Sequence, residues 1–516
     1  MPCSPPVVWI VMSNSNPLRY RRQFVLGPRP LDELATWRWT RVGAGLFVQV
    51  HDDLPLVQVR RNELSLTLLG YIIDPSQPEH SNNAVLRGLA VACSNAREVP
   101  AQAAELTGRF VLIVDDGNDT LLFHDPCGLR EVFHTIDEVG ETWCASQPDR
   151  IATPLGIQPD EVASEFMASV SFRGHHEPWW PGSTTPYREI RRLQPNHYLD
   201  LRTREADRYW PNRPLHDIEP EDAAQIVAQL LRSSVRAAAK RFPLALPVTA
   251  GMDSRTILAA ARGIRNVFHY TAMPHGLDEY SADIRIPRRL LRRLGIEHHV
   301  LKCPKSMSDV FARTYRANTT PAHDSAGAIA EGLLASYPMG RTMLSGHCAE
   351  IARDTFGISH TATPDAPAMA ELMGLGKNPM AIRCFNDWLE NTAPVAEAFD
   401  YRVWDLFFWE QEYATWAANC QSQWDIVHER FTPFNQRGVL RTLLAVDPFF
   451  RQGPRYEIHR RIMQILWPDV LEQPFNPTDD SLQGEVHRML RRMRESGSNS
   501  GLVRGLSGSL TALLPK

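Results

Sequence analysis

The sequence predicts an α/β fold in two parts: an antiparallel β-rich first domain, then a doubly wound parallel sheet with a helical C-terminal portion. Three observations lead there. The chain has 516 residues, more than one hydrophobic core usually organises. Its first 210 or so residues alternate short apolar segments with turns, the pattern of an antiparallel layer. From Pro220 onward, long helical patterns alternate with short apolar runs, which is the signature of a parallel sheet.

Taken in order, segments 7–12, 46–50, 64–73, 110–115 and 120–124 read as strands. Between residues 174 and 214 the chain turns rich in Pro, Trp and Arg, including Trp179-Trp180-Pro181-Gly182 and Tyr209-Trp210-Pro211, as expected of an interdomain crossing. The boundary is placed near residue 215, giving domains 1–214 and 215–516. Beyond it the pattern predicts a helix over 221–241, a strand over 244–248, a helix over 255–262, a strand over 267–272 and a helix over 282–294. In the last third, Trp404, Phe407, Phe408, Trp409, Trp416 and Trp424 have spacings that predict a packed core. The tail from Gln483, with Arg488, Arg491, Arg492 and Arg494 before a Gly/Ser-rich stretch, reads as a solvated helix and loose terminus, a docking role being the alternative.

Composition narrows the class. A net charge of −4, from 55 basic and 59 acidic residues, argues against a nucleic-acid binder, whose affinity comes from an excess of Lys and Arg. The eight cysteines include no C-x-x-C pair, which favours free thiols in a reducing cytoplasm over a disulfide framework or zinc site. No run approaches a membrane span, and segment 7–12 is too short and lacks the basic flank of a signal core. The expectation is a cytoplasmic enzyme without membrane or nucleic-acid partners. The oligomeric state stays open, a homodimer included.

The stretch Leu246-Pro247-Val248-Thr249-Ala250-Gly251-Met252-Asp253-Ser254-Arg255 joins a predicted strand to a predicted helix. Backbone N–H groups at a helix N-terminus attract phosphate, and Gly251 has no Cβ to obstruct it. Thr249 and Ser254 add hydroxyls, and Asp253 can hold the Mg2+ that accompanies phosphates. The same turn also suits a plain helix cap. A second strand end, Met343-Leu344-Ser345-Gly346-His347-Cys348-Ala349-Glu350-Ile351-Ala352-Arg353, again carries Ser-Gly and then a carboxylate. Two acids from separate strand ends, Asp253 and Glu350, would meet the needs of magnesium. Alone, Glu350 also reads as a helix N-terminal acid and His347 as a core histidine.

The order strand, Thr-Ala-Gly-Met-Asp-Ser, helix, then Ser-Gly-x-x-x-Glu some ninety residues further on, resembles the PP-loop ATP pyrophosphatase domain of the asparagine synthetase family. The intervening Tyr280-Ser281-Ala282-Asp283 and Leu294-Gly295-Ile296-Glu297-His298-His299 are similar to that family's segment after its second strand. Upstream, Gly108-Arg109-Phe110 and Leu121-Leu122-Phe123-His124-Asp125-Pro126-Cys127-Gly128-Leu129 look like the amidotransferase-like domain that precedes it.

Four departures qualify the resemblance. Glutamine-using members begin with a nucleophilic cysteine, whereas this chain begins Met1-Pro2-Cys3, so no glutaminase activity is expected. In this it is similar to the β-lactam synthetases and lasso-peptide macrolactam synthetases. Ala250 and Thr249 stand where the usual turn has Gly and Ser, and a positive φ at Ala250 would be strained. Glu350 stands where relatives have Asp, and His347 where asparagine synthetases carry Glu. No lysine lies between Lys377 and Lys516 to serve as the family's transition-state cation, leaving Arg353, Arg451 or Arg455 as substitutes.

The resemblance implies an ATP-dependent, AMP-forming amide ligase of specialised metabolism, with ATP and Mg2+ as cofactors and a small molecule or peptide bearing a carboxylate and an amine as substrate. Ring closure to a β-lactam or macrolactam and an intermolecular amide bond both fit. Thr249, Ala250, Gly251, Asp253, Ser254, Ser345 and Gly346 would hold pyrophosphate, and the backbone of Tyr270, Thr271, Ala272 and Met273 would hold adenine. Asp253 and Glu350 would carry the metal, and His347 would handle the amine proton. A non-catalytic nucleotide-binding scaffold is the reading of a different class, and a tRNA-acting enzyme a third, disfavoured by the charge.

Overall fold

The computed structural model describes residues 16–173, 179–358 and 364–477. Segment 7–12, Cys3 and the tail arginines lie outside them. The first half contains two six-stranded sheets. One is ordered Arg191–Arg192, Phe133–Ile136, Thr142–Ala145, Phe24–Gly27, Phe47–Val50, Arg38–Arg41. The other runs Glu205–Arg208, His197–Asp200, Thr120–His124, Thr107–Asp115, Leu64–Ile73, Leu56–Arg61. Their strand pairs are antiparallel.

The two-residue alternation of a strand explains the layering. In Leu64–Ile73, Leu66, Leu68 and Ile72 face Leu86 and Leu89 of the helix Asn82–Ala92. Leu69 packs instead with Phe24, Val48 and Val50 of the other sheet. The region predicted as a crossing contributes three short strands: Arg191–Arg192 and Glu205–Arg208 at sheet edges, and His197–Asp200 one place in from the edge. Edge strands of two to four residues with charged side chains carry no alternation to betray them.

The second half matches the predicted alternation closely. Helix α1 (Pro220–Arg241) leads to β1 (Leu244–Pro247), α2 (Met252–Ala260), β2 (Phe268–Met273), α3 (Ala282–Arg293), β3 (His299–Lys302), β4 (Thr342–Leu344) and β5 (Arg430–Phe431). The sheet is parallel, with order β3-β2-β1-β4-β5. Strand order reverses at β1, so the crevice beyond the carboxyl ends of β1 and β4 is the expected ligand position. No helix among the described residues is long and apolar enough to cross a membrane.

The halves share a buried polar seam. Arg109 donates to both oxygens of Asp425 and to Glu429, and Arg130 donates to Glu429 at 2.7 Å. Asn435 bonds the Cys127 N–H at 2.9 Å, and Gly108 C=O and Asp125 at 2.8 Å each. Around this seam lies an aromatic core containing Trp404, Phe407, Phe408 and Trp409, all buried. Trp416 and Trp424 are only partly buried, and Trp416 with Phe408 borders a cavity, which the spacing argument did not anticipate.

Candidate functional site

Beyond β1 the chain turns sharply into α2. Thr249 N–H donates to Ser254 Oγ at 3.1 Å, the two hydroxyls lie 3.0 Å apart, and Gly251 N–H donates to Thr249 Oγ1 at 3.1 Å. Ala250 N–H donates to Asp283 at the start of α3, at 2.9 Å. From behind, fully buried Arg255 bonds Ala250 C=O at 2.7 Å and Gln473 C=O at 2.7 Å. No residue of the turn has positive φ; Gly251 itself lies at −71°. Ala250 is therefore accommodated without the anticipated strain. Gly251 matters for its missing side chain, since a Cβ there would stand 3.1 Å from Thr249 Oγ1. It supplies no side-chain cap, which leaves the first N–H groups of α2 for an anion.

The second strand end packs directly onto this turn. A Cβ on Gly346 would stand 2.7 Å from the backbone carbon of Asp253. Gly346→Ala must displace backbone, and a loss of roughly 1–3 kcal/mol in unfolding free energy is expected by urea denaturation. An unchanged midpoint would mean that the two strand ends do not meet so closely.

Glu350 lies in a short turn, Ala349–Ala352, after Cys348. Tyr413 Oη donates to Glu350 at 2.9 Å and accepts from Cys348 N–H at 2.5 Å. The carboxyls of Asp253 and Glu350 lie close enough to interact, and Arg353 forms an ion pair with Asp253. Burial, then the charge of Asp253, pushes Glu350 up to about 7, with Arg353 opposing. Asp253 is raised by burial, again against the pull of Arg353. Two carboxyls in contact cannot both ionise freely, so the pair shares a proton. A divalent cation fits this donor set because it takes the place of that proton.

Arg353 is the cation at this position. Burial disfavours its charge, but Asp253 and Glu350 more than offset this. Its Nε is buried without a partner among the described residues, and its guanidinium sits 5.1 Å from the Tyr456 ring centre. The other arginine candidates are elsewhere. Arg451 is fully buried on Asp405 and Val446 C=O, at 2.9 Å each, and Arg455 is exposed.

His347 adjoins Trp416 and Tyr413, with ring centres 6.2 and 6.4 Å away. Burial, helped by Arg430, lowers it to about 3, so the imidazole is neutral and a poor proton acceptor. That is a weak basis for the proton-handling role expected from the sequence. Ser345 Oγ accepts from His347 N–H at 3.3 Å. On β2, Tyr270 C=O accepts from Val248 N–H, while Met273 C=O accepts from Cys303 N–H. Carbonyls alternate between the two neighbours, so that of Ala272 faces the β1 side, past the last β1 residue paired. Thr271 Oγ1 is engaged with Val248 C=O at 2.6 Å and His298 at 2.8 Å, leaving its backbone as the contact surface.

Next to Glu350 and Arg353 opens a cavity of about 490 Å³, bordered also by Glu412, Trp416, Gln452 and Tyr456. Nothing in the residue pattern points to it. Glu412 lies in a π-helical segment, Phe408–Tyr413, a wide turn that spacing rules do not reveal and that recurs at functional sites.

No family model matches the chain. Over 224 residues it is 23% identical to the amidase chyE of Penicillium rubens; the match covers 39% of this chain and 32%, about a third, of that protein's length. Among solved structures, the allosteric regulatory enzyme of purine biosynthesis matches at 12% identity and a TM-score of 0.24, over 60% of this chain and 75% of the other. A glutamine phosphoribosylpyrophosphate amidotransferase from B. subtilis, complexed with ADP and GMP, matches at the same identity and TM-score, over 64% and 77%. A TM-score of that size leaves the architecture to be defined by the chain's own elements.

Proposed function

We propose that the chain is an ATP-dependent, AMP-forming ligase that adenylates a substrate carboxylate and joins it to an amine. The observation that carries this is the meeting of Asp253 and Glu350, from two strand ends at the switch point of a parallel sheet, beside an uncapped helix N-terminus. Amide chemistry is also what the name of the amidase relative describes.

In this reading the N-terminus of α2 receives the pyrophosphate portion of ATP, with Gly251 and Gly346 keeping side chains out of its way. The Thr249 and Ser254 hydroxyls, now bonded to each other, turn toward phosphate oxygens. The Ala272 backbone edge takes the adenine ring. Mg2+, held by Asp253 and Glu350, supplies positive charge to the phosphates when bound. Arg353 stands where charge accumulates as the acid attacks the α-phosphate and pyrophosphate departs, the role a lysine would otherwise fill. The amine then displaces AMP from the acyl-adenylate.

The test is ATP–pyrophosphate exchange with magnesium across a panel of amino acids, dipeptides and other carboxylic acids. Exchange that depends on one acid is expected, and it identifies that acid. A protein that binds no ATP would overturn the proposal, and ATP binding with no exchange for any acid would favour a nucleotide-binding scaffold.

A further inference from the structure

The cavity beside Glu350 and Arg353 contains one charged group that no partner satisfies. Arg353 is paired with Asp253. Asp354 is held by Gln452 at 2.7 Å and by Arg402 at 3.4 Å. The Glu412 carboxyl, among the described residues, has neither a hydrogen-bond donor nor a cation facing it, and burial pushes it up to about 7. A half-buried carboxyl without a partner is pushed toward its neutral acid, and a cation beside it would favour the charged form.

The remaining walls are aromatic. Phe356, Phe408, Trp416 and Tyr456 border the same cavity as Glu412. Phe356 and Phe408 meet edge to face at 5.7 Å, and Tyr413 and Trp416 at 6.0 Å, so the walls are a rigid, packed assembly. Ring faces attract ammonium groups, and apolar walls bury a hydrocarbon body. At about 490 Å³ the space suits a ligand of drug-like size rather than ammonia.

We infer that this cavity is the nucleophile pocket and that it selects a primary amine carried on an apolar body, with the ammonium head on Glu412 and the body against Phe356, Phe408, Trp416 and Tyr456. The inference rests on the ligase reading for its role in a reaction, but the binding it requires can be measured without ATP. The Glu410 carboxyl two residues earlier is already saturated by Arg208 at 2.6 Å, Asn196 and Trp388, so Glu412 is the acid of the segment left for a ligand.

The probes are phenethylammonium, butylammonium, ammonium itself and 3-phenylpropionate, titrated calorimetrically into the intact chain and into Glu412→Gln and Glu412→Asp. Phenethylammonium is expected to bind at least about tenfold more tightly than ammonium or phenylpropionate, to lose about tenfold or more in Glu412→Gln, and to recover partly in Glu412→Asp. Both variants are expected to melt no lower than the parent, since each removes or moves an unpaired, half-buried acid. Equal binding of phenylpropionate, or a Glu412→Gln that binds phenethylammonium like the parent, overturns the inference. Acid-dependent pyrophosphate exchange retained in Glu412→Gln would then leave the adenylation proposal standing.

Discussion

If the chain is the proposed ligase, Asp253→Asn is expected to reduce acid-dependent ATP–pyrophosphate exchange by about a hundredfold or more, equivalent to about 2.7 kcal/mol of transition-state stabilisation. The expectation follows from where the carboxyl sits. Asp253 is at once in contact with Glu350 and paired with Arg353, at the first turn of α2. Asparagine keeps the shape and can still accept from Arg353, but it cannot supply the second negative charge of a divalent site. Fold and chemistry separate cleanly here. Removing the Asp253 charge also removes a like-charge push on Glu350, whose carboxyl then falls from about 7 toward its ordinary range. The variant should therefore melt within about 2 °C of the parent. A variant that melts like the parent and still exchanges at the parental rate would remove Asp253 from the reaction.

The largest effect on stability is expected at Arg109. Its side chain is almost wholly buried, and it donates to Asp425 and Glu429 across the seam between the halves. Burial alone would raise Glu429, yet Arg130, Arg109 and Arg22 hold it down to about 2. Arg109→Met fills the space but takes from Asp425 its main partner and leaves Glu429 to Arg130, and loss of one member of such a cluster costs about 3–5 kcal/mol. Urea denaturation at neutral pH reads this directly, and a loss below about 1 kcal/mol would mean that the cluster is hydrated. The pH dependence has a definite sign. A carboxylate with a lowered native pKa contributes stability above its ordinary range near 4.5, which drains away as pH falls toward 2. Parental stability should therefore fall across that window, and Arg109→Met should flatten the fall.

The parts of this molecule that were readable from the sequence are those set by local rules. Strand 244–248, the turn and the following helix were legible because an apolar run, a Gly-x-Asp-Ser turn and a helical period stand next to one another, and the structure has β1 ending at Pro247 and α2 starting at Met252. The meeting of Asp253 with Glu350 was legible from the crevice rule, because β1 and β4 are sheet neighbours. Glu412 was not, since its significance comes from a π-helical turn that aims it into a cavity assembled from Phe356, Trp416 and Tyr456. Nor could the seam be foreseen, as Arg109 and Asp425 are 316 residues apart. The basicity of His347 depends on burial, which the identity of the residue does not disclose.

The negative φ values throughout the turn after β1 have a practical consequence for recognising proteins of this type. A signature that insists on two consecutive glycines encodes a preference that the backbone here does not enforce, whereas a Cβ on Gly346 would collide with the Asp253 backbone and one on Gly251 would crowd the Thr249 hydroxyl. Genome searches for chains built this way should free position 250, require the single glycine that follows it, and pair it with a distant Ser-Gly followed four residues later by either acid.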